Sequence, residues 1–221
     1  MEKLSSGLRE IGGENKMTSM KIKDVAELDA LYGAASPRSI AKEINYLNFE
    51  YQSFIEASPL MTIATVGREG LDCSPRGDKD GVVRVINSTT IRFADRKGNN
   101  RLDTLRNIIE DDRIALLFLV PGVGETMRVN GRAVISTSPE LLEAFTMDGK
   151  PPKTVIEVKV ESVYFQCSKA LLRSGIWSSD LSAACADVPS AGAMLKAVID
   201  DDFDANEYDK SWSESQKDGL W

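Results

Sequence analysis

The segment TVIEVKVESVYFQ (154–166) alternates apolar and polar residues along its length, and this feature constrains the fold most. Side chains on a strand point to opposite faces in turn, so a period of two demands a half-buried strand and is incompatible with a helix. TMRVNGRAVIS (126–136) repeats the pattern, with Gly131 placed where a bulge or barrel bend is expected. MTIATVG (61–67), VVRVI (82–86) and TTIRFAD (89–95) are further strands. RIALLFLV (113–120) is continuously apolar, as expected of a strand buried on both faces. GREG (67–70) and NST (87–89) are turns, and LDCSPRGDKDG (71–81) reads as irregular and polar.

One helix falls between the third and fourth of these runs, so the regular strand–helix alternation of a doubly wound sheet is missing. The expected fold is mainly β, a six-stranded antiparallel barrel with flanking helices. A short helix is expected over Val25–Tyr32. A second is expected to start at Ser36-Pro37 and run to about Glu56, with Ile40, Ile44, Leu47, Tyr51, Phe54 and Ile55 as its apolar stripe. Ser138-Pro139-Glu140 opens another, ending at Phe145. The division expected is a tail with a short helix (1–35), the barrel domain (36–177) and an acidic helical extension (178–221). The extension contains the helix AGAMLKAVIDDDF and would serve as a lid or a dimer-packing arm.

Composition removes several functions. The formal net charge of −7 argues against a nucleic-acid partner, which needs a concentrated basic surface. The chain of 221 residues has no histidine, so Ser-His-Asp and Cys-His catalysis, histidine-ligated zinc and an imidazole base are excluded, and no metal site is expected. Cys73, Cys167 and Cys185 are widely spaced with no CxxC and read as free thiols of a reducing compartment. MEKLSSGLREIGGENK lacks the apolar core of a signal peptide, and no run is long enough to span a bilayer, so a cytoplasmic protein without a membrane partner is expected.

Four stretches could carry a site, and each also has a plain structural reading. In RKGNNRLDTLRN (96–107), Asn99 and Asn100 tolerate left-handed backbone, Arg101 matches a phosphate, and a helix starting near Asn100 would offer free N–H groups. A helix cap with a solvated arginine would look the same. SPRGDKDG (74–81) is either part of a phosphate site or a solvent loop; it is neither a P-loop nor a dinucleotide fingerprint. Arg84 interrupts VVRVI and must point outward or into a site. PGVGETMRVNG (121–131) places Thr126 and Arg128 on one strand face, as would any hairpin with a polar outer side. CSKALLRSGIW (167–177) sets Lys169 and Arg173 one helical turn apart, with Ser174 and Trp177 beyond, or is simply a terminal helix with surface charges.

The order SPLMTIATVGREGLDCSPRGD, FADRKGNNRLDTLRNI, DRIALLFLVPGVGETMRVNGRA and YFQCSKALLRSGIW resembles the pyridoxamine 5′-phosphate oxidase-like flavoproteins over about Ser58 to Trp177. It is most similar to a bacterial subgroup carrying SPRGD and PGNNR-like segments. The resemblance implies an FMN-binding split barrel, and a homodimer with FMN at the subunit interface. Ser74, Arg76, Arg84, Asn99, Asn100 and Arg101 match the positions that hold the FMN phosphate. Thr126 matches a polar residue beside the flavin ring, with Arg128 nearby, and the partner subunit's C-terminal segment would bring Lys169, Arg173, Ser174 and Trp177. The implied activity is that of an FMN-dependent oxidoreductase acting on a small molecule, with NAD(P)H as a candidate electron donor and no catalytic residue assigned. The missing histidine and the terminal KDGLW depart from the substrate-gripping segment of true pyridoxamine-phosphate oxidases, which argues against that reaction. The alternatives are a non-catalytic flavin-binding or regulatory module, a split barrel using haem or a deazaflavin, and a purely structural barrel.

Overall fold

The computed structural model describes residues 21–178, 188–199 and 202–218. The expectations made for residues 1–20, for Cys185 and the small polar stretch around it, for Asp200 and Asp201, and for the last three residues lie outside the described residues. Packing divides the chain into two units, residues 1–41 and residues 42–221.

In the first unit, α1 (Val25–Tyr32) is capped by Asp24, whose carboxylate accepts from the Glu27 N–H at 2.9 Å. α2 (Pro37–Ala41) starts on its proline, as expected. It stops after five residues and does not continue to Glu56. In the second unit the chain runs extended instead: Ile44 exchanges both backbone hydrogen bonds with Val163, at 3.1 and 2.8 Å, and the Leu47 N–H donates to Ser88. α3 (Phe49–Glu56) then begins anew, with the Asn48 side chain accepting from the Tyr51 N–H at 2.8 Å. Leu47 and Ile55 are buried as the apolar stripe requires. The pattern identified the inward residues, but the sheet claims the backbone between the two helices.

The strands are β1 (Leu60–Gly67), β2 (Gly70–Gly77), β3 (Arg84–Asn87), β4 (Thr90–Asp95), β5 (Arg113–Leu119), β6 (Thr126–Ser136) and β7 (Thr154–Gln166). They form one antiparallel sheet in the order β2-β1-β5-β6-β7-β4-β3. Among the described residues the count is seven, not six. The extra strand is β2, within the segment read as irregular, and it pairs with β1 from Leu60↔Gly77 to Gly67↔Gly70. An edge strand needs no apolar alternation and tolerates Pro75, so its composition hides it.

The sheet curls. β2 and β4 stand five strand spacings apart in the order, roughly 24 Å if flat. Yet the Arg76 guanidinium of β2 lies 3.7 Å from the Asp95 carboxylate of β4. The inward residues of β1, β4, β5, β6 and β7 form one apolar core, including Ile63, Phe93, Phe118, Val129 and Val158. Gly131 sits at a register shift in the β6–β7 pairing, where an added Cβ would stand 2.1 Å from the Lys159 carbonyl oxygen. The barrel bend expected there is present, and close backbone approach is its reason. β5 departs from expectation: Ile114, Leu116 and Phe118 are buried, but Ala115, Leu117 and Leu119 on its other face are only half-buried.

Among the described residues, five more helices flank or follow the barrel. α4 (Asp103–Glu110) lies between β4 and β5, held by a bond from the Asn107 amide to Thr65 of β1 at 3.1 Å. α5 (Pro139–Ala144) joins β6 to β7, and α6 (Lys169–Ser174) follows β7. α7 (Ala191–Lys196) is shorter than the sequence suggests and packs on α8 (Ala205–Asp218), where the Gly192 N–H donates to Asp209 at 2.7 Å.

Candidate functional site

Three connections meet at one end of the barrel: the β2–β3 loop, the β4–α4 loop and the α5–β7 segment. They enclose a cavity of about 880 Å³, within the range of roughly 300–1,000 Å³ typical of small-molecule sites. Seven cationic side chains line it against three carboxylates, Asp78, Asp80 and Asp95. An acidic chain has therefore gathered a local excess of positive charge, which favours an anionic ligand.

Arg76 is the centre of the wall. Its Nη2 donates to the Thr104 hydroxyl at 3.3 Å, Nη1 donates to the Pro75 carbonyl at 3.0 Å, and Thr104 in turn donates to Asp72. Its Nε is buried and has no hydrogen-bond partner among the described residues. Leaving such a donor unsatisfied costs about 1–3 kcal/mol, more for a charged group. The Thr154 hydroxyl, directly opposite Asp95 in the β4–β7 register, is a second buried polar atom without a partner at the same cavity. Burial raises the Asp95 pKa above the usual carboxylate value, and the charges of Arg76 and Lys153 only partly oppose this.

Arg84 and Arg96 also reach this end. The Arg84 Nη1 donates to the Ala144 carbonyl at 2.5 Å, and its guanidinium lies 4.3 Å from the centre of the Phe145 ring. Arg96 donates to Asp78 at 2.8 Å and to the Phe145 carbonyl at 2.7 Å. In the β4–α4 loop, the Asn99 side chain accepts from the Arg101 N–H at 3.0 Å and Asn100 adopts φ 59°, the left-handed backbone expected of it. The helix itself starts at Asp103, not near Asn100. Arg101 pairs with that Asp103 at 3.0 Å and is 78% exposed.

The structure thus brings Arg76, Arg84, Asn99, Asn100 and Arg101 around one cavity. Ser74 does not line it; its hydroxyl donates to Asp72 at 3.0 Å. The remaining candidates lie elsewhere. Thr126 and Arg128 project from the outer face of β6, beside Leu119 and Leu117 of β5, and Arg128 donates to the Tyr164 hydroxyl at 3.1 Å. The Trp177 indole donates to the Val123 carbonyl at 2.8 Å. Lys169, Arg173 and Ser174 are exposed on α6.

The Pyridoxamine 5′-phosphate oxidase family model matches residues 47–167, more than half of the chain. The chain belongs to this family. No curated protein matches it by sequence. Among solved structures it is similar to HupZ of Group A Streptococcus, with 22% identity, 55% of this chain and 95% of that chain covered and a TM-score of 0.46. General Stress Protein 26 of Bacillus anthracis gives 13% identity, 51% and 88% coverage and a TM-score of 0.40. The FAD binding protein of Mycobacterium smegmatis gives 14% identity, 56% and 97% coverage and a TM-score of 0.39.

Within this family member, sequence reasoning did not single out Asp95, Thr104, Thr154, Lys150 or Lys153 as site residues. Asp95 ends a strand and Thr104 opens a helix, both ordinary positions for their types. The one available signal was KPPK (150–153), two lysines around two prolines between a helix and a strand.

Proposed function

We propose that this chain is an FMN-dependent oxidoreductase that holds the flavin phosphate beside Arg76. The observation that carries the reading is the buried, partnerless Nε of Arg76 in a cavity with seven cations to three carboxylates. A phosphate oxygen there would complete the guanidinium's hydrogen bonding by charge-assisted contacts, a geometry arginine matches in bidentate fashion. Bound FMN would supply hydride and electron transfer. The residues present fit that group: Arg76 would bind the phosphate, Thr104 would hold the guanidinium in place by accepting from it, and the Asn99–Asn100 turn would aim backbone N–H groups at it. Asp72 fixes the Thr104 hydroxyl so that it remains an acceptor for Arg76.

Thr126 and Arg128 would serve a ring held between subunits. Their support is the half-buried apolar face of β5 beside them, Ala115, Leu117 and Leu119, which a second copy of the chain would cover. On this reading the protein is a homodimer, and Lys169, Arg173, Ser174 and Trp177 would close the partner's site. NAD(P)H would be the electron donor and a small molecule the acceptor.

A visible spectrum of the purified protein, before and after NADPH or NADH, tests the reading. Flavin absorbance that bleaches on addition of the nucleotide is expected. A bound flavin that neither nucleotide reduces would mark a non-catalytic binder, and absence of any FMN affinity would refute the proposal. Arg76→Ala should weaken FMN binding at least tenfold, read by fluorescence quenching, with the far-UV spectrum unchanged.

A further inference from the structure

We propose that the α5–β7 segment forms a second anion subsite in this cavity, built from Lys150, Lys153 and the Thr154 hydroxyl. It would take a carboxylate or phosphate of the molecule on which the flavin acts. The inference rests on the flavin reading and extends it by naming the substrate class.

Besides Arg76, the cations of the cavity fall into two groups. Arg84, Arg96 and Arg101 are engaged with protein: Arg84 with the Ala144 carbonyl, Arg96 with Asp78 and the Phe145 carbonyl, and Arg101 with Asp103. Lys97, Lys150 and Lys153 line the same space, are exposed, and make no side-chain hydrogen bond or ion pair among the described residues. Charge available for a ligand therefore resides on the lysines, two of which share the α5–β7 segment, while Arg84 and Arg96 latch the start of that segment.

The segment fixes the backbone from which those two lysines project. Met147 and Lys150 exchange backbone hydrogen bonds at 3.1 and 2.9 Å, closing a tight turn whose central residues, Asp148 and Gly149, have φ 49° and 75°. Positive φ at both central positions is the geometry of the tight hairpin turn that Asp-Gly favours. Pro151 and Pro152 then fix the backbone, and Pro152 is buried. Thr154 follows as the first residue of β7, with its buried hydroxyl unpartnered at the cavity. Two ammonium groups and a hydroxyl donor presented from a rigid segment suit an anion's oxygens. The site lies apart in sequence from the Arg76–Thr104 pair, on a different connection of the same barrel end.

The test uses full-length, FMN-loaded protein at low salt, with inorganic phosphate and malonate as probes in calorimetric titrations. Wild type should bind at least one of them, and the double variant Lys150→Gln/Lys153→Gln should bind it at least tenfold more weakly. FMN affinity of that variant should stay within threefold of wild type. Lys150→Arg/Lys153→Arg should restore probe binding, which separates loss of charge from loss of structure. The proposal is overturned if neither probe binds wild type, or if the glutamine variant loses FMN as severely as Arg76→Ala does. Should the protein take no FMN at all, the flavin reading fails; the same titrations on flavin-free protein then decide the lysine subsite by the same tenfold criterion.

Discussion

At the scale of single residues, Asp95 has the most exposed consequences. Its carboxylate lies 3.7 Å from Arg76, and burial still raises its pKa despite that neighbour and Lys153. The folded protein therefore holds the Asp95 proton more tightly than the unfolded chain does. The stability this contributes is present below the unfolded value of about 4 and is lost as pH rises through the folded value. Asp95→Asn should accordingly raise the melting temperature at pH 7 relative to wild type, with the difference closing as the pH approaches 4. The same substitution removes an anion that competes for Arg76, so phosphate affinity at pH 7 should increase, as calorimetry would show. Arg101 carries the opposite lesson. Its sequence setting leads one to expect a phosphate ligand, yet its guanidinium pairs with Asp103 two residues on and is largely in solvent. A side chain's partner is a tertiary fact even when its type and neighbourhood are legible.

Elements set where these residues stand. The β6–β7 pairing tolerates its register shift only because Gly131 has no Cβ to meet the Lys159 carbonyl. Gly131→Val should destabilise the protein by about 2 kcal/mol or more, since the opposing atom is backbone and cannot rotate away. Urea denaturation would measure it. α4 is joined to the barrel by the buried Asn107–Thr65 bond, and Asn107→Ala should lose about 1–3 kcal/mol in the same assay. Both elements were legible: alternation located β6 and β7, and the polar turn before DTLRN located α4. β2 was not, because an edge strand is stabilised on one side and its sequence can remain polar. The single long helix expected from Pro37 onward was a different kind of error. Helical spacing of Ile44, Leu47 and Tyr51 is satisfied equally by a short extended piece followed by a capped helix, and Asn48 at the cap was the signal that distinguishes them.

For the molecule as a whole, the curling of a seven-stranded sheet brings β2 against β4 and so assembles the cavity. The formal charge of −7 overall and the cationic surplus at the barrel end make anion binding local and sensitive to ionic strength. Phosphate or pyrophosphate should raise the melting temperature at low salt, and the shift should shrink in 0.5 M NaCl, because a ligand stabilises only through its affinity for the folded state. The outer face of β5 gives a second prediction at this scale. Leu117→Glu should leave the barrel folded but move the sedimentation coefficient to that of a monomer, if a second copy covers that face as proposed. Among the described residues no helix is long and apolar enough to cross a membrane.

The sequence alone determined the mainly-β class, the bend at Gly131, a turn tolerant of left-handed backbone at Asn99–Asn100 and the exclusion of histidine chemistry, because each follows from local sterics, periodicity or composition. It also carried the family, through the order of SPRGD, GNNR and the apolar fifth strand. Tertiary structure decided what no local rule contains. It chose which arginines are bound to protein and which lysines face the cavity, left the Nε of Arg76 buried without a partner, and set Asp95 and Thr154 side by side on neighbouring strands. These pairings join residues dozens of positions apart, and only the closing of the sheet defines them.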